Sequence, residues 1–348
     1  MKLSVFIPYY NGEQWIAGCL ESLMRQGMAP EEYEIIVVDD GSTHGIETLM
    51  HYVEAYPQIH YLHQENQKHA AARNYCLTVA KGEYVFFCDC DDFVAEGVFG
   101  CLYEMAAENR ADVLLFNVRR LEEGEAAPAP KRNFDPITVF DSGLSYMSQT
   151  RQFRGGIWQF LIRRTFMAEK QLQFAPEMIN REEHLFFLQM MLAAGKVIKV
   201  DVDVYFYVQH PTSWVHLTGK KEHTEGYIRC MVVFLRYLHQ TRLDLASAGS
   251  VSTECLEAME RAEAQDAISI LSNSFRYTSV KDNVGMIRQL RNLGYYPIRE
   301  RASSFDWLRR LMNSYPLWMS MCVVYHSLPR AFSEKVVAVL TGRDKRAG

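Results

Sequence analysis

The chain has 348 residues, of which 48% are hydrophobic and 23% are charged, and its formal net charge is −5. This balance is typical of a globular protein with a sizeable core, and it does not indicate a nucleic-acid partner. No run of about 18 apolar residues is present, so no membrane-spanning helix is predicted. The first apolar stretch ends at Pro8, which is too early for a signal peptide.

Eight cysteines are scattered along the chain without a CxxC pair. This spacing does not favour a zinc site. Cys88 and Cys90 flank Asp89, and such near neighbours along a strand rarely form a disulfide. We therefore expect reduced thiols and a cytoplasmic chain.

Short apolar runs alternate with helical apolar spacing over the first 120 residues. Strands are predicted at 3–7, 34–38, 59–63, 83–88 and 113–117, and helices at 13–26, 46–56, 69–80 and 95–109. The alternation favours an α/β fold with a mostly parallel sheet and flanking helices. Ligands of such sheets bind outside the carboxyl ends of the strands, where polar clusters occur at 8–11, 39–40 and 89–92.

The second half of the chain has a mixed pattern. A polar segment with three prolines, 122–136, is predicted to be a loop. Strands follow at 155–163 and 197–208, a helix lies between them at 182–194, and the pattern is helical from residue 220 onward. We therefore predict a catalytic domain at 1–218, with a nucleotide-binding half (1–120) and an acceptor half (121–218), and a helical C-terminal region at 219–348.

Three carboxylates, Asp89, Asp91 and Asp92, follow the apolar run 84–87. Like charges packed near a core repel one another and lose solvation, so a bound cation would stabilise them. Oxygen ligands at this spacing suit Mg²⁺ or Mn²⁺. The alternative is an N-cap and acidic first turn of the predicted helix 95–109, which for Asp92 alone is equally favoured.

Two further groups lie at the same predicted edge of the sheet. Asp39 and Asp40 end a strand and could accept hydrogen bonds from a ribose or a base, although a simple strand-ending turn is favoured when this motif is taken alone. Arg73 stands among alanines, as a phosphate ligand or as a salt-bridge partner.

Four motifs together resemble glycosyltransferase family 2, and they occur in the family's order within about the first 120 residues. They are Pro8-Tyr9-Tyr10-Asn11 followed by Glu13, Val38-Asp39-Asp40-Gly41-Ser42, Asn66 with Ala72-Arg73-Asn74, and Lys81-Gly82-Glu83-Tyr84 before Asp89-Cys90-Asp91-Asp92. The resemblance implies a GT-A fold and an inverting transferase that uses a nucleotide-diphosphate sugar.

The resemblance also implies roles for these residues. Asp40, Pro8 and Tyr10 would hold the base, usually uracil. Asp89 would contact the ribose and, with Asp91, the divalent ion, Mn²⁺ or Mg²⁺. Arg73 and that ion would stabilise the leaving diphosphate. The remaining members of the expected nucleotide-sugar site are Glu13, Asn66 and Asp92.

The catalytic acidic pair of the family is matched by Glu182-Glu183, ahead of an apolar helix. Glu183 would be the base that deprotonates the acceptor, with Glu182 as the competing candidate and a stabilising pair of helix N-terminal acids as the alternative.

The chain departs from the family pattern at three places. The second acid of the pair is Glu rather than Asp, and the glycines that often follow Asn66 are replaced by Gln67 and Lys68. The arginine of the usual Tyr-x-Tyr-Arg segment is missing after Tyr207. His210 or His216 could take over its phosphate or metal contact, but a surface histidine is favoured for each.

Competing functions lack their motifs. A sugar nucleotidyltransferase needs a glycine-rich basic loop after the first strand, and a dinucleotide-dependent oxidoreductase needs GxGxxG there; neither is present. A degenerate GT-A fold that acts as a binding module remains open, although the intact Asp-x-Asp weighs against it.

The C-terminal end is basic, with 13 Lys or Arg against 5 Asp or Glu from Arg276 onward. Within 307–340, Trp, Leu and Met with flanking Arg suit an interfacial amphipathic helix, and a packed helical bundle is the alternative. The resemblance implies a glycan or lipid-linked acceptor in cell-surface polysaccharide synthesis. We expect a cytoplasmic protein, with possible peripheral attachment to the inner face of a membrane.

Overall fold

The computed structural model describes residues 1–126, 128, 134, 137–210, 221–298 and 306–327. The chain divides into two compact units, Met1–Leu217 and Thr218–Gly348. The first unit contains the sheet and the predicted site. The described part of the second unit is helical.

The first unit alternates strands and helices through its first half. Its strands are β1 (Leu3–Tyr9), β2 (Tyr33–Asp40), β3 (Ile59–Gln64), β4 (Tyr84–Phe87), β5 (Phe93–Val94), β6 (Val113–Glu122), β7 (Ile137–Phe140), β8 (Phe160–Arg163) and β9 (Val197–Gln209). Its helices are α1 (Glu13–Met24), α2 (Glu47–Ala55), α3 (Lys68–Val79), α4 (Phe99–Glu108), α5 (Gly143–Thr150), α6 (Arg164–Glu169) and α7 (Glu182–Ala193).

All nine strands of the described residues join one mixed sheet in the order β3-β2-β1-β4-β8-β6-β9-β5, and β7 also pairs with β9. The pairs β1–β2, β2–β3, β1–β4 and β6–β9 are parallel, whereas β8, β5 and β7 pair antiparallel. The predicted mostly parallel sheet with flanking helices is confirmed. Every residue of β2 is buried, as expected for a strand covered on both faces.

Close backbone approach explains the glycine of the Lys-Gly-Glu-Tyr motif. A Cβ on Gly82 would lie 2.4 Å from the backbone nitrogen of Ser4, so any side chain there would push β1 and β4 apart. This glycine therefore keeps the two central parallel strands in register.

Three predicted elements are wrong in type or extent. The helix predicted at 95–109 begins only at Phe99, because residues 93–94 pair with β9 as β5. The strand predicted at 155–163 is a 3-10 turn, Ile157–Gln159, followed by β8. The two runs predicted at 197–208 form one strand of 13 residues, whose pairing with β6 shifts register near Asn117. Tertiary pairing overrides local pattern in each case.

The described helices of the second unit are α8 (Lys221–Ala248), α9 (Thr253–Tyr277), α10 (Val280–Asn292), α11 (Asp306–Asn313) and α12 (Tyr315–Ser327). They share one apolar core, to which α12 contributes Trp318 and Cys322. Leu317 and Val323 of the same helix are about half exposed. The described part of α12 therefore packs in a bundle and also exposes two apolar side chains, while residues 328–348 of the predicted interfacial segment lie outside the described residues.

A buried carboxylate joins α8 to α9. Glu263 is fully buried and accepts from Arg242 Nε at 3.0 Å, with His239 Nδ1 3.5 Å away. Burial raises the pKa of Glu263, and the guanidinium opposes that shift. No described helix is long and apolar enough to cross a membrane. None of the eight cysteines, all of which lie in the described residues, forms a disulfide.

Candidate active site

The polar clusters that follow β1, β2 and β4 meet at one edge of the sheet, as the topology requires. Asn11, after β1, accepts from Thr43 N at 3.0 Å through its side-chain oxygen and donates its backbone N–H to Ser42 Oγ at 2.9 Å. Asp89, after β4, is joined to α3 through Arg73. The sequence therefore correctly placed these clusters together.

Asp40 organises the loop between β3 and α3. The buried carboxylate accepts from the backbone N–H groups of Gln67 at 2.7 Å and Lys68 at 2.8 Å, and from Gln64 Nε2 at 2.7 Å. Asn66 lies within the same loop, where its side chain accepts from Lys68 Nζ at 3.1 Å. The loop shape thus depends on the predicted base-binding residue.

Three left-handed residues precede or begin the helices that start at this edge. Asn11 has φ 49°, Lys68 has φ 75° and Arg181 has φ 62°, at the starts of α1, α3 and α7. A side chain in this region costs roughly 1–2 kcal/mol, and such strain tends to gather at functional sites. Lys68 therefore occupies a backbone conformation that glycine would adopt without this cost.

Arg73 lies at the centre of the acidic cluster. Its buried guanidinium is 2.9 Å from Asp89, 3.3 Å from Glu182 and 2.8 Å from Glu183, and it packs over the Phe174 ring. Burial would lower the arginine pKa, but the three carboxylates raise it. Its Nε atom is buried without a hydrogen-bond partner. One cation therefore links the Asp-x-Asp motif to the acidic pair of α7.

The two acids of the pair have different environments. Glu182 is almost fully buried, with Oε1 2.7 Å from His69 Nε2. Burial opposes its ionisation, but the bond from His69 and the charges of His69 and Arg73 hold its pKa below the usual value. The Glu183 side chain is 21% exposed, and burial raises its pKa to about 7 against the opposing charge of Arg73.

A pair of hydrogen bonds fixes the segment that precedes α7. The side chain of Asn74, in the Ala-Arg-Asn motif, donates to Phe174 O and accepts from Phe174 N, both at 2.9 Å. These two hydrogen bonds hold the segment that leads to Glu182 against α3. The asparagine of the motif therefore has a structural role that the sequence did not reveal.

Asp91 pairs with a residue from the end of β9. Its Oδ2 lies 2.8 Å from Nε2 of His210, whose ring packs against Trp15 with centroids 4.5 Å apart. Burial and the charge of Asp89 raise the pKa of Asp91, and the histidine opposes the shift. His210 is buried, so the favoured surface position is wrong for it, because β9 extends far enough to bring it under α1. His216 lies outside the described residues.

Asp92 faces inward rather than toward a helix. It accepts from Tyr205 Oη at 2.5 Å and from Val208 N at 2.8 Å, both in β9. Burial, followed by the charges of Asp91 and Asp89, raises its pKa well above the usual value. The alternative of a helix N-cap is wrong for Asp92, because α4 begins seven residues later. Its carboxylate ties β9 to the Asp-x-Asp turn.

The Tyr205 ring is held by an aromatic stack. It lies parallel to Trp158 at a centroid distance of 5.3 Å. A Cβ on Gly156 would lie 2.4 Å from the Trp158 ring, so that glycine lets the indole pack against the backbone. The next amide, Ile157 N, donates to Glu183 Oε2 at 3.4 Å. The stack and the residue beside it thus contact Asp92 through Tyr205 and Glu183 through Ile157.

The other predicted site residues lie at the first strand and helix. Pro8 is partly buried and the Tyr10 ring is 50% exposed. Glu13 Oε1 accepts from Thr48 N at 2.9 Å and from the Thr48 hydroxyl, which places it at the start of α2. Its other oxygen is buried without a partner. Glu13 therefore fixes α2 next to the predicted nucleotide site.

The donor atoms around Asp91 would fit a divalent cation whose remaining ligands come from a substrate. No group of three or more His, Cys, Asp or Glu side chains converges for a metal among the residues the structure describes. Asp91 supplies a carboxylate of the kind that Mg²⁺ and Mn²⁺ prefer, and His210 adds an imidazole beside it. Mg²⁺ in nucleotide enzymes commonly takes one or two carboxylates and completes its shell with phosphates and water.

Sequence reasoning missed several residues that shape this site. His69, Trp15 and Trp158 carry no motif of their own, since their partners lie far away in sequence. Two residues offered a signal: Tyr205 is the first tyrosine of the Tyr-x-Tyr segment, although its bond to Asp92 was not predicted, and His69 lies four residues before Arg73 in the Ala-Arg-Asn helix.

Comparison with known proteins decides the family. Residues 4–172 match the model of Glycosyl transferase family 2. The chain carries a family 2 glycosyltransferase domain. A poly(ribitol-phosphate) beta-glucosyltransferase of Bacillus spizizenii is 29% identical over 215 residues, which cover 60% of this chain and 32% of that protein. The uncharacterized glycosyltransferase YibD of Escherichia coli is 28% identical over 70% of this chain and 72% of its own length.

Solved structures share the fold of this chain. A crystal structure of Staphylococcus aureus TarS residues 1–349 in complex with UDP-GlcNAc superposes with a TM-score of 0.62 at 20% identity. The match covers 94% of this chain and 92% of that one. At this identity the likeness shows the fold, and it confirms the predicted GT-A arrangement with a helical C-terminal region.

Proposed function

We propose that the protein transfers a sugar from a UDP-sugar to an acceptor hydroxyl with inversion at the anomeric carbon. The observation that carries the proposal is the contact of Arg73 with both Asp89 and Glu183. Through this one arginine, the Asp-x-Asp motif, which is expected to hold the diphosphate, is linked to the partly exposed carboxylate of Glu183. Burial raises the pKa of Glu183 to about 7. A UDP-sugar donor is supported by the UDP-GlcNAc complex of TarS.

Glu183 is the base in this proposal. A general base works best when its pKa lies near the operating pH, and Glu183 meets that condition while Glu182 is buried and kept ionised. The acceptor proton passes to Glu183 as the acceptor oxygen bonds to the anomeric carbon. The bond from that carbon to the diphosphate oxygen breaks in the same step, and one displacement inverts the centre.

Asp91 and His210 would hold Mn²⁺ or Mg²⁺, with Asp89 nearby. When bound, the ion neutralises charge that develops on the leaving nucleoside diphosphate. Arg73 would contribute a second positive charge, since its guanidinium lies 2.9 Å from Asp89. Asp89 would also contact the ribose, and Asp92 shapes the turn that carries both aspartates.

Pro8, Tyr10 and Asp40 would form the base-binding side of the site, next to Asn66 and Glu13. The exposed Tyr10 ring offers a stacking face. Asp40 shapes the loop that follows it and offers a carboxylate to the base. We therefore keep the nucleotide-binding role for the half 1–120 and the acceptor role for 121–218.

Asp40→Ala should weaken UDP binding by about 1–3 kcal/mol, because a buried hydrogen bond and the loop that carries it are lost. It should also lower the melting temperature, since the N–H groups of Gln67 and Lys68 lose their acceptor. Gln64→Ala is the matched control, as it removes one donor to Asp40 and leaves the carboxylate. Calorimetry that finds unchanged UDP affinity in folded Asp40→Ala would contradict this role.

The acceptor is proposed to be a cell-surface or lipid-linked glycan. Several relatives are named as poly(ribitol-phosphate) glycosyltransferases, including TarS of Staphylococcus aureus at 28% identity over 60% of this chain. A purified sample screened against a panel of UDP-sugars, with released UDP as the readout, tests the donor. No UDP release from any sugar would favour a degenerate binding module.

The two exposed apolar side chains of α12 support a peripheral membrane site on the cytoplasmic side. Full-length protein should sediment with anionic liposomes at low salt, and the double variant Leu317→Asn with Val323→Asn should lose much of that binding. Removal of 304–348 should release the protein completely. UDP affinity, which depends on the first unit, is the control and should not change. If the full chain does not sediment with these liposomes, the membrane role is wrong, and α12 serves only as part of the helical bundle.

A further inference from the structure

The polar side-chain atoms of Asn180, a partly exposed residue, are buried without a hydrogen-bond partner. Both side-chain atoms, Oδ1 and Nδ2, are shielded from solvent, and neither has a partner in the described chain. Among the described residues, it is the only carboxamide for which this is true of both atoms. Gln58 and Asn283 each leave only an oxygen unpartnered.

An unpartnered buried amide is costly. Each unsatisfied polar group lowers stability by about 1–3 kcal/mol, so native proteins rarely keep such a group without a use. Two other described asparagines show the usual arrangement, since Asn74 bonds twice to Phe174 and Asn109 donates to Met105 O at 2.9 Å. The arrangement at Asn180 therefore resembles a site preorganised for a ligand.

The backbone next to Asn180 is also strained. Arg181, the following residue, has φ 62° and leads directly into α7. No glycine is present to relieve that conformation, so the turn is held by its surroundings. Two independent features, an unpartnered carboxamide and a strained turn, thus precede the acidic pair.

The residues around the start of α7 indicate which ligand would lie near Asn180. Glu183, three residues after Asn180, reaches Arg73, and Arg73 reaches Asp89 of the Asp-x-Asp motif. The sugar of a donor is joined covalently to the diphosphate proposed to lie there, so it must lie close to the start of α7. An acceptor is not constrained in this way.

We propose that Asn180 binds the donor sugar ring, with Nδ2 donating to one sugar hydroxyl and Oδ1 accepting from a neighbouring one. This inference rests on the proposed transferase function and adds a sugar-specificity residue to its site. A carboxamide offers one donor and one acceptor in a fixed plane, which matches a pair of adjacent hydroxyl groups.

The test compares UDP with the UDP-sugar that gives the highest UDP release in the panel, by calorimetry on the full chain. Asn180→Ala should weaken UDP-sugar binding about 10- to 30-fold, as expected for two lost hydrogen bonds, and leave UDP binding unchanged. Asn180→Asp, which keeps only accepting oxygens, should show a smaller loss.

Thermal melting separates binding from structure. Asn180→Ala should melt no lower than wild type, because it removes no bond within the chain, whereas the matched control Asn109→Ala should melt lower and bind normally. Unchanged UDP-sugar affinity, equal weakening of UDP and UDP-sugar, or a lowered melting temperature of Asn180→Ala would each overturn the inference. If the wild-type protein neither binds nor turns over any UDP-sugar, the proposed transferase function is wrong, and the inference that rests on it is wrong as well.

Discussion

Glu183→Gln should reduce sugar transfer by about 10²–10⁴-fold, the usual contribution of a positioned base. The amide keeps the shape of the side chain and can still bond to Ile157 N, but it cannot take a proton. Wild-type activity should fall as the pH drops below about 7, because Glu183 then becomes protonated. The variant should lose this limb of the pH profile and keep its UDP affinity.

Glu182→Gln is the matched control for that experiment. Glu182 is buried between His69 and Arg73, so its loss should lower the melting temperature more than the loss of Glu183 does. Normal turnover of Glu183→Gln would rule out the assignment. A slow Glu182→Gln with a normal melting temperature would move the base to that residue.

Asp91→Asn should reduce transfer at least about 10³-fold, since a metal ion supplies several kcal/mol of charge stabilisation and about 4 kcal/mol corresponds to that factor. Chelation of divalent ions in the wild type should have the same effect, and added Mn²⁺ should restore the wild type alone. Asp203→Asn, on the exposed side of β9, is the matched control and should stay active.

Full activity of Asp91→Asn in excess chelator would contradict the metal role. Loss of activity in the variant without any effect of chelation would point to a structural role through His210. Mn²⁺ titration of the wild type followed by calorimetry in the presence of UDP separates these results.

The sequence was most informative where residues act within one short segment. The motifs after β1, β2 and β4 could be placed together because parallel strands end at the same edge. The acidic pair could be placed at the start of a helix because apolar spacing follows it. These inferences needed only local patterns and the rule of strand alternation.

Long-range contacts could not be predicted. The buried position of His210 depends on β9 continuing to Gln209, and a run of alternating residues does not show where pairing stops. Likewise, the short strand at Phe93 and Val94 was not predicted, because its pairing partner lies more than 100 residues later. The environments of Glu182 and Glu183 differ through His69 and Arg73, which neighbouring residues in sequence do not reveal.

The strand order has a consequence for synthesis of the protein. β8 lies between β4 and β6, and β9 lies between β6 and β5, so the two halves of the first unit are interleaved. A nascent chain of 120 residues would contain every motif of the nucleotide site, yet β4 and β6 would still lack β8, which pairs with both. Arg73 would hold Asp89 without the acids of α7. The ribosome must therefore deliver about 90 further residues, through His210, before the catalytic edge can assemble.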